Sequence, residues 1–295
     1  MIVVGAGMAG LACARELLDA GVPVRVLDRG RVVGGRLAST KYDGRYADTG
    51  AAYLTADHPA FAERLESWRI EGLAHPWTDT FLTYDGAGPQ PATGPVRWSA
   101  PGGLRSLADD LARELDVTLE CEVTALPAAD AVVLAMPGPQ ALRIADLAAA
   151  HRQRWSPALT AVLTYAERGW PDFHGAFVNG HPVLATVFDD GDRRGDRAPV
   201  LVAHTTPAFA GAHLDDPSGA GADIEAAVRD LLGVRAASTR VRRWTFAAPA
   251  PEPERFARQG NVYLCGDAFG RPRVQTAWLS GRAVADDLLA QITDR

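Results

Sequence analysis

The chain has 295 residues, 47% of them hydrophobic and 22% charged, with a formal net charge of −6. That is enough apolar material for a sizeable core, as one large domain or two interleaved ones. The acidic balance counts against a nucleic-acid or anionic-membrane surface, and no stretch approaches the roughly 20 unbroken apolar residues of a membrane helix.

Ile2–Val4 is an apolar, β-branched run and reads as a buried strand. Residues 8–20 follow with helical periodicity and stop at Gly21; residues 24–27 form a second strand ending at Asp28. This is a strand–helix–strand unit of the parallel type. Residues 58–69 and 104–115 read as helices, residues 117–123 as a strand, and the apolar run 131–135 as a central strand stopped by Pro137. The middle of the chain differs. Residues 158–165, 183–188, 200–205 and 239–245 read as strands of an antiparallel sheet, with a helix at 220–232. The charged, glycine-containing stretch 189–198 reads as an exposed turn, and the proline-rich stretch 247–253 as a linker. Residues 261–265 return to a buried strand and 276–292 to a helix.

The expected fold is therefore α/β: a Rossmann-type nucleotide-binding domain over residues 1–72, 96–148 and 255–295, interrupted by an antiparallel β-rich substrate domain over 73–95 and 149–254. Cys13, Cys121 and Cys265 lie too far apart for a CxxC pair or a zinc spacing, and their odd number argues against a disulfide framework. They read as buried thiols in a reducing compartment. The N-terminus lacks the basic leading region of a signal peptide, so a cytoplasmic location is expected. The histidines are scattered, so no metal site is expected.

Gly5-Ala6-Gly7-Met8-Ala9-Gly10 is a GxGxxG placed after a strand and opening a helix. The first glycine permits the tight turn, the second lets backbone approach a pyrophosphate, and the third lets helix and strand pack closely. The helix start offers N–H groups and a positive dipole end to phosphates. Asp28 stands at the spacing of the acid that accepts ribose hydroxyls, with Arg29 beside it. Three further features choose FAD over NAD. Val33-Gly34-Gly35-Arg36 is a second glycine turn like those of two-domain flavoproteins. Residues 261–267 form a strand ending in Gly266-Asp267, similar to the flavoprotein motif that meets the ribityl and pyrophosphate portion. Residues 277–281 open the last helix, whose N-terminus suits the negative charge of a reduced flavin. Val123, Val274 and Ala277 complete the expected cofactor contacts.

Further segments carry a narrower resemblance. Met136-Pro137-Gly138-Pro139-Gln140, His204-Thr205-Thr206, Arg243-Trp244 and Arg273-Val274 with Ala277-Trp278-Leu279-Ser280-Gly281 resemble the renalase family, in order along nearly the whole chain. So do Asp48-Thr49-Gly50-Ala51, Tyr53-Leu54-Thr55 and Ala100-Pro101-Gly102-Gly103-Leu104. The resemblance implies a noncovalent FAD oxidase within the amine-oxidase-like superfamily. Its substrates would be dihydro isomers of NAD(P)H reduced at the 2 or 6 position, oxidised by O2 to NAD(P)+ and hydrogen peroxide.

Such a donor needs no strong base, so the protein's part is position, dryness and electrostatics. Trp244, Trp278, His204 and Gln140 are the candidates for the substrate cleft, each with ordinary core packing as the alternative. Arg271 and Arg273 are read either as partners of substrate phosphates or as a solvated loop. A flavin amine oxidase is the main rival. Many of those place a lysine beside the flavin, whereas Lys41 is this chain's only lysine and lies just past the Gly34-Gly35-Arg36 turn. A desaturase or tailoring oxidase and a noncatalytic flavin-binding protein complete the alternatives. The sequence leaves the oligomeric state open.

Overall fold

A computed structural model describes residues 1–42, 44–86 and 88–293. Residues 43, 87, 294 and 295, which the expected domain ranges include, lie outside the described residues. The strands in chain order are β1 (Ile2–Val4), β2 (Arg25–Leu27), β3 (Ser39–Tyr42), β4 (Arg45–Asp48), β5 (His75–Tyr84), β6 (Pro89–Ser99), β7 (Asp116–Thr118), β8 (Val132–Leu134), β9 (Trp155–Thr164), β10 (Gly175–Val178), β11 (Leu184–Asp189), β12 (Val200–Thr205), β13 (Ser238–Pro249), β14 (Ala257–Gln259) and β15 (Val262–Leu264). The helices are α1 (Met8–Asp19), α2 (Pro59–Ile70), α3 (Arg105–Leu111), α4 (Gly138–Ala141), α5 (Ala148–Arg152), α6 (Asp190–Arg194), α7 (Pro207–Ala212), α8 (Gly221–Leu232) and α9 (Val274–Thr293).

The first sheet has the order β14-β15-β8-β1-β2-β7, parallel except for the β14 edge. Its inner strands are covered on both faces, so β8 and β15 are buried throughout rather than alternating. Helices α1 and α9 cross closely over this sheet. A Cβ on Gly281 would stand 2.0 Å from the Ala9 carbonyl oxygen, so only glycine admits the crossing.

The second sheet has the order β13-β9-β12-β11-β10-β5-β6. It is antiparallel apart from the β10–β5 pair, and the four strands expected to be antiparallel, β9, β11, β12 and β13, pair that way. Its strands alternate. Leu159, Ala161, Leu163, Leu201 and Ala203 face a core completed by Ile224 and Val228 of α8. Val162, Val200 and Val202 face the opposite way and meet Ala47 of the β3–β4 hairpin. Period-2 patterning thus gives this sheet one face for its own core and one for the nucleotide-binding domain.

The stretch 189–198 is an exposed turn as expected only at residues 195–197; its first half corrects that expectation. It forms α6, and Asp189, Asp190 and Arg193 are fully buried. Asp190 pairs with Arg193, Arg194 and Arg45, while Arg194 also meets Asp48 at 3.0 Å and Arg193 donates to the Ala52 carbonyl at 2.7 Å. Burial alone would raise the Asp190 pKa, but the three arginines outweigh it and hold the carboxyl below its usual range. Charges that read as solvated in sequence satisfy one another across the contact between the two sheets' domains.

Two boundaries also move. The expected strand 117–123 ends at Thr118, and the chain then bonds back along β2 through Glu120 N–H to the Gly30 carbonyl and Cys121 N–H to the Asp28 carbonyl. The linker at 247–253 begins inside β13. Cys13 and Cys265 are buried as expected, whereas Cys121 is only partly so. No described helix is long and apolar enough to cross a membrane.

Candidate functional site

The glycines of the first turn divide by what surrounds them. A Cβ on Gly5 would lie 2.5 Å from the Ala135 carbonyl oxygen, and one on Gly10 only 1.9 Å from the Gly5 oxygen. Both positions are closed by the protein itself. A Cβ on Gly7 would meet nothing within 4 Å. Gly7 is also the N-cap of α1, and no side chain caps that helix. The first-turn N–H groups of Met8, Ala9 and Gly10 have no intrahelical acceptors by helix geometry, so the helix start suits a phosphate. Asp28 flanks it. Its carboxylate accepts from the Ala6 and Gly30 N–H groups, each at 2.6 Å, which fixes its orientation at the end of β2. An open glycine, an uncapped helix start and an oriented acid fit the ADP half of a dinucleotide.

The second glycine turn docks on the first. The Gly34 N–H donates to the Ala6 carbonyl at 2.8 Å, and Gly7 and Gly34 form a parallel bridge. Gly34 and Gly35 both have positive φ, +110° and +54°, conformations that side chains disfavour. The turn ends in Arg36. Its guanidinium grips Asp267 bidentately at 2.5 and 2.7 Å, donates to the Ala247 carbonyl at 3.2 Å, and lies 4.9 Å from the Trp155 ring centroid. One arginine therefore joins both glycine motifs to β13. Gly266, at φ +149°, has open space where a Cβ would stand, and its N–H donates to Ser280 Oγ of α9 at 3.1 Å. Val274 and Ala277 lie in the first turn of α9, partly exposed. Val123 packs partly buried beside the core around Val4 and Leu134. Arg29 is exposed and makes no ion pair among the described residues.

The face of the second sheet turned toward these motifs carries the substrate candidates. Register places Arg242, Thr160, His204 and Thr186 side by side on β13, β9, β12 and β11. Trp244 follows two residues along β13 and donates from Nε1 to the Thr49 carbonyl at 2.7 Å. His204 Nδ1 lies 3.3 Å from Thr186 Oγ1, and its ring meets Phe188 edge-on. Burial, with Arg193 nearby, pushes its pKa down to about 4, so the imidazole is neutral at physiological pH. Tyr53 from the other domain packs edge-on against Phe81 and Phe188. His204 and Trp244 thus share one face. Arg242, Thr160 and Thr186 join them without having been singled out by sequence, because their role depends on cross-strand neighbours.

Two other candidates are not brought there. Trp278 is a core residue, 5% exposed, packed against Phe61 at 5.5 Å with the Arg282 guanidinium over its ring. Gln140 lies on α4 behind β8, and no hydrogen bond or ring contact ties its side chain to His204 or Trp244 among the described residues. The Met136-Pro137-Gly138 turn before it is held instead by buried Gln153, whose Oε1 accepts from the Gly138 N–H at 2.8 Å and from Trp155 Nε1 at 3.0 Å. Arg273 is committed to Asp57 at 2.6 and 3.1 Å, which holds the Asp57 pKa down to about 2, while Arg271 is exposed. Cavities of about 360 Å3 beside His174 and Asp192 and about 290 Å3 beside β14 lie apart from the glycine turns and this stripe. Among the described residues no cluster suits a metal ion.

Comparison with known proteins agrees with this geometry. The family model described as flavin containing amine oxidoreductase matches residues 8–87 and 71–289. An L-amino-acid oxidase of Siganus canaliculatus is 41% identical over 63 residues, 21% of this chain and 12% of that protein. A putrescine oxidase of Kocuria rosea is 44% identical over 71 residues, 24% of this chain and 15% of that protein. These matches span only a small part of the relatives' length. In three dimensions the likeness extends over nearly the whole chain. A structure assigned as a protoporphyrinogen oxidase from Exiguobacterium sp. 255-15 superposes over 98% of both chains with a TM-score of 0.83 at 14% identity. Putrescine oxidase bound to putrescine does so over 98% of both chains at 0.75 and 16%. At these identities the superpositions show the fold, a parallel nucleotide-binding sheet joined to a largely antiparallel one. With the family model running over most of its length, the chain belongs to the flavin-containing amine oxidoreductases, and is an FAD-dependent oxidoreductase.

Proposed function

We propose that the chain is a renalase-type oxidase, which takes hydride from 2- or 6-dihydro isomers of NAD(P)H and passes the electrons to O2, with NAD(P)+ and hydrogen peroxide as products. The observation that carries this reading is the chemistry of the sheet face. From β13 to β11 it presents Arg240, Arg242, Trp244, Ala158, Thr160, Val162, Thr164, Val200, Val202, His204, Thr186 and Phe188, with no carboxylate and no lysine. Lys41 is exposed on β3, on the opposite side of the strand from Thr40, which meets Arg242.

A protonated amine bound here would find no counter-charge, and His204, with its pKa near 4, is too weak a base to deprotonate it. A dihydropyridine needs neither, because its ring nitrogen already drives hydride release. Bound noncovalently, FAD supplies the two-electron acceptor and the reaction with oxygen. In this reading α1 and Asp28 hold the ADP half, and Arg36 and Asp267 lie along the middle of the cofactor. Trp244 and Phe188 bound a dry surface, and neutral His204 with Thr186 orients the nicotinamide amide by hydrogen bonds. The three free cysteines suit a reducing, cytoplasmic setting.

Anaerobic stopped-flow bleaching of the bound flavin tests the proposal, with partially isomerised NADH compared against a panel of amines that includes putrescine. Rapid bleaching by the isomers alone is expected. The family and the putrescine oxidase likeness favour an amine oxidase as second reading, and rapid bleaching by amines with none by the isomers would establish it instead.

A further inference from the structure

We infer that Arg242 is the anion-recognition residue of the substrate site, and that the substrate carries a carboxylate or phosphate group seated between this guanidinium and the Thr160 hydroxyl. The inference rests on the reading above that the substrate lies on this sheet face.

Most interior arginines of this chain end on a carboxylate. Arg36 ends on Asp267, Arg64 on Asp110, Arg168 on Asp189, and Arg45, Arg193 and Arg194 share Asp190. Among the described residues, two interior arginines end on no carboxylate: Arg97, which donates to the Asp79 carbonyl at 2.7 Å and lies over the Phe81 ring, and Arg242, which faces the sheet stripe that holds His204 and Thr160. Arg242 is partly buried, and among the described residues no carboxylate pairs with it. It donates one hydrogen bond, from Nη1 to the neutral Thr40 Oγ1 at 2.9 Å, and stacks on Trp244 with 4.5 Å to the ring centroid. Burial shifts its pKa down, but a guanidinium stays charged at any physiological pH. A desolvated cation with most of its planar donor edge uncommitted is costly unless an anion completes it.

A second, independent observation lies directly across the strand pair. Thr160 is paired with Arg242 in register, is 1% exposed, and its Oγ1 has no hydrogen-bond partner. Buried hydroxyls are nearly always satisfied, so an orphan one beside an unpaired cation marks where a ligand oxygen belongs. Directly opposed side chains have Cβ atoms about 5 Å apart, which lets one oxyanion reach both. Trp244, itself fixed through Thr49, holds the guanidinium plane, so its position precedes binding rather than following it. His204 on the other side of Thr160 is neutral and adds no competing charge.

The test uses the FAD-loaded protein and needs no turnover. Flavin difference spectra are titrated with benzoate and with inorganic phosphate, for wild type, Arg242→Gln, Arg242→Lys and Thr160→Val. At least one anion should perturb the wild-type spectrum saturably. Arg242→Gln should weaken that binding by about tenfold or more, and Thr160→Val several-fold, with FAD content unchanged. Arg242→Lys, which keeps the charge and loses the planar fork, should fall between. Saturation by benzoate alone assigns a carboxylate, and by phosphate alone a phosphate. The inference is overturned if neither anion perturbs the wild type, or if the Gln and Lys variants bind as tightly as wild type. Should Arg242→Gln lose its FAD, the Lys and Val variants carry the measurement. Isomer bleaching without anion binding overturns Arg242's role alone; anion binding lost in the variants, with no bleaching by isomers, overturns the dihydronicotinamide reading alone.

Discussion

Gly7 and Gly10 stand three residues apart in one motif, yet substituting each by alanine should produce opposite failures. At Gly10 the new methyl would lie 1.9 Å from the Gly5 carbonyl oxygen, 3.0 Å from Ala135 Cβ and 3.1 Å from Val3 Cγ1. The start of α1 would have to move by more than an ångström, against a backbone atom that cannot swing aside. Overpacking of this kind costs about 1–3 kcal/mol or more, and that loss should be present without any ligand. At Gly7 the backbone is extended, φ −83° and ψ −179°, and the methyl meets no protein atom. The only protein cost is the poorer N-cap, under about 1 kcal/mol. The methyl would instead occupy the approach to the helix start. If it weakens FAD tenfold, FAD supplied at about 100 times the wild-type Kd stabilises the wild type by about 2.7 kcal/mol and Gly7→Ala by only about 1.4 kcal/mol. Urea unfolding followed by tryptophan fluorescence, with and without added FAD, reads both terms. Full FAD stabilisation in Gly7→Ala, or instability without FAD equal to that of Gly10→Ala, would refute the division of roles.

Two further outcomes follow from the buried charges. Asp190→Asn leaves Arg193, Arg194 and Arg45 facing a neutral amide and should cost about 3–5 kcal/mol in urea unfolding. Asp196→Asn, on a half-exposed partner of the same Arg45, should cost less than about 1 kcal/mol, and equal losses would contradict the network. His204 is held neutral in the fold with its pKa near 4, whereas an unfolded chain takes up a proton near 6.5. The unfolded state therefore binds more protons between those values, and stability falls as pH drops through that window, by up to about 3 kcal/mol. His204→Gln should remove most of that fall between pH 7 and 4.5, and an undiminished fall would place the titration elsewhere.

Much of this could be read from residues alone, for a reason visible in the structure. The glycine turns, the acid after β2 and the apolar strands β1, β8 and β15 express steric and burial demands that act over a few residues, so the α/β fold and the flavin were legible. The β5–β6 hairpin was not, because β6 is an edge strand, mostly exposed, with no apolar alternation to betray it. Nor was α6. The groups that neutralise Asp190 include Arg45, 145 residues away, and no local pattern distinguishes a buried ion cluster from a solvated one. Trp278 stayed ambiguous for the converse reason, since a tryptophan near a cofactor motif looks the same whether it faces ligand or core. Arg242 escaped notice because being unpaired is a property of surroundings, not of sequence.

The Arg36–Asp267 ion pair spans 231 residues and also reaches Ala247 on β13. Its two halves are therefore synthesised 231 residues apart, with the whole second sheet made between them. A ribosome-bound chain that has emerged only as far as β13 carries the first glycine turns but not the carboxylate that meets them. Any ligand gripped through this pair can be held only after β15 and α9 have joined the sheet. The ion pair is thus a report on assembly: it marks molecules in which the β1–α1 segment and the β15–α9 segment have found each other.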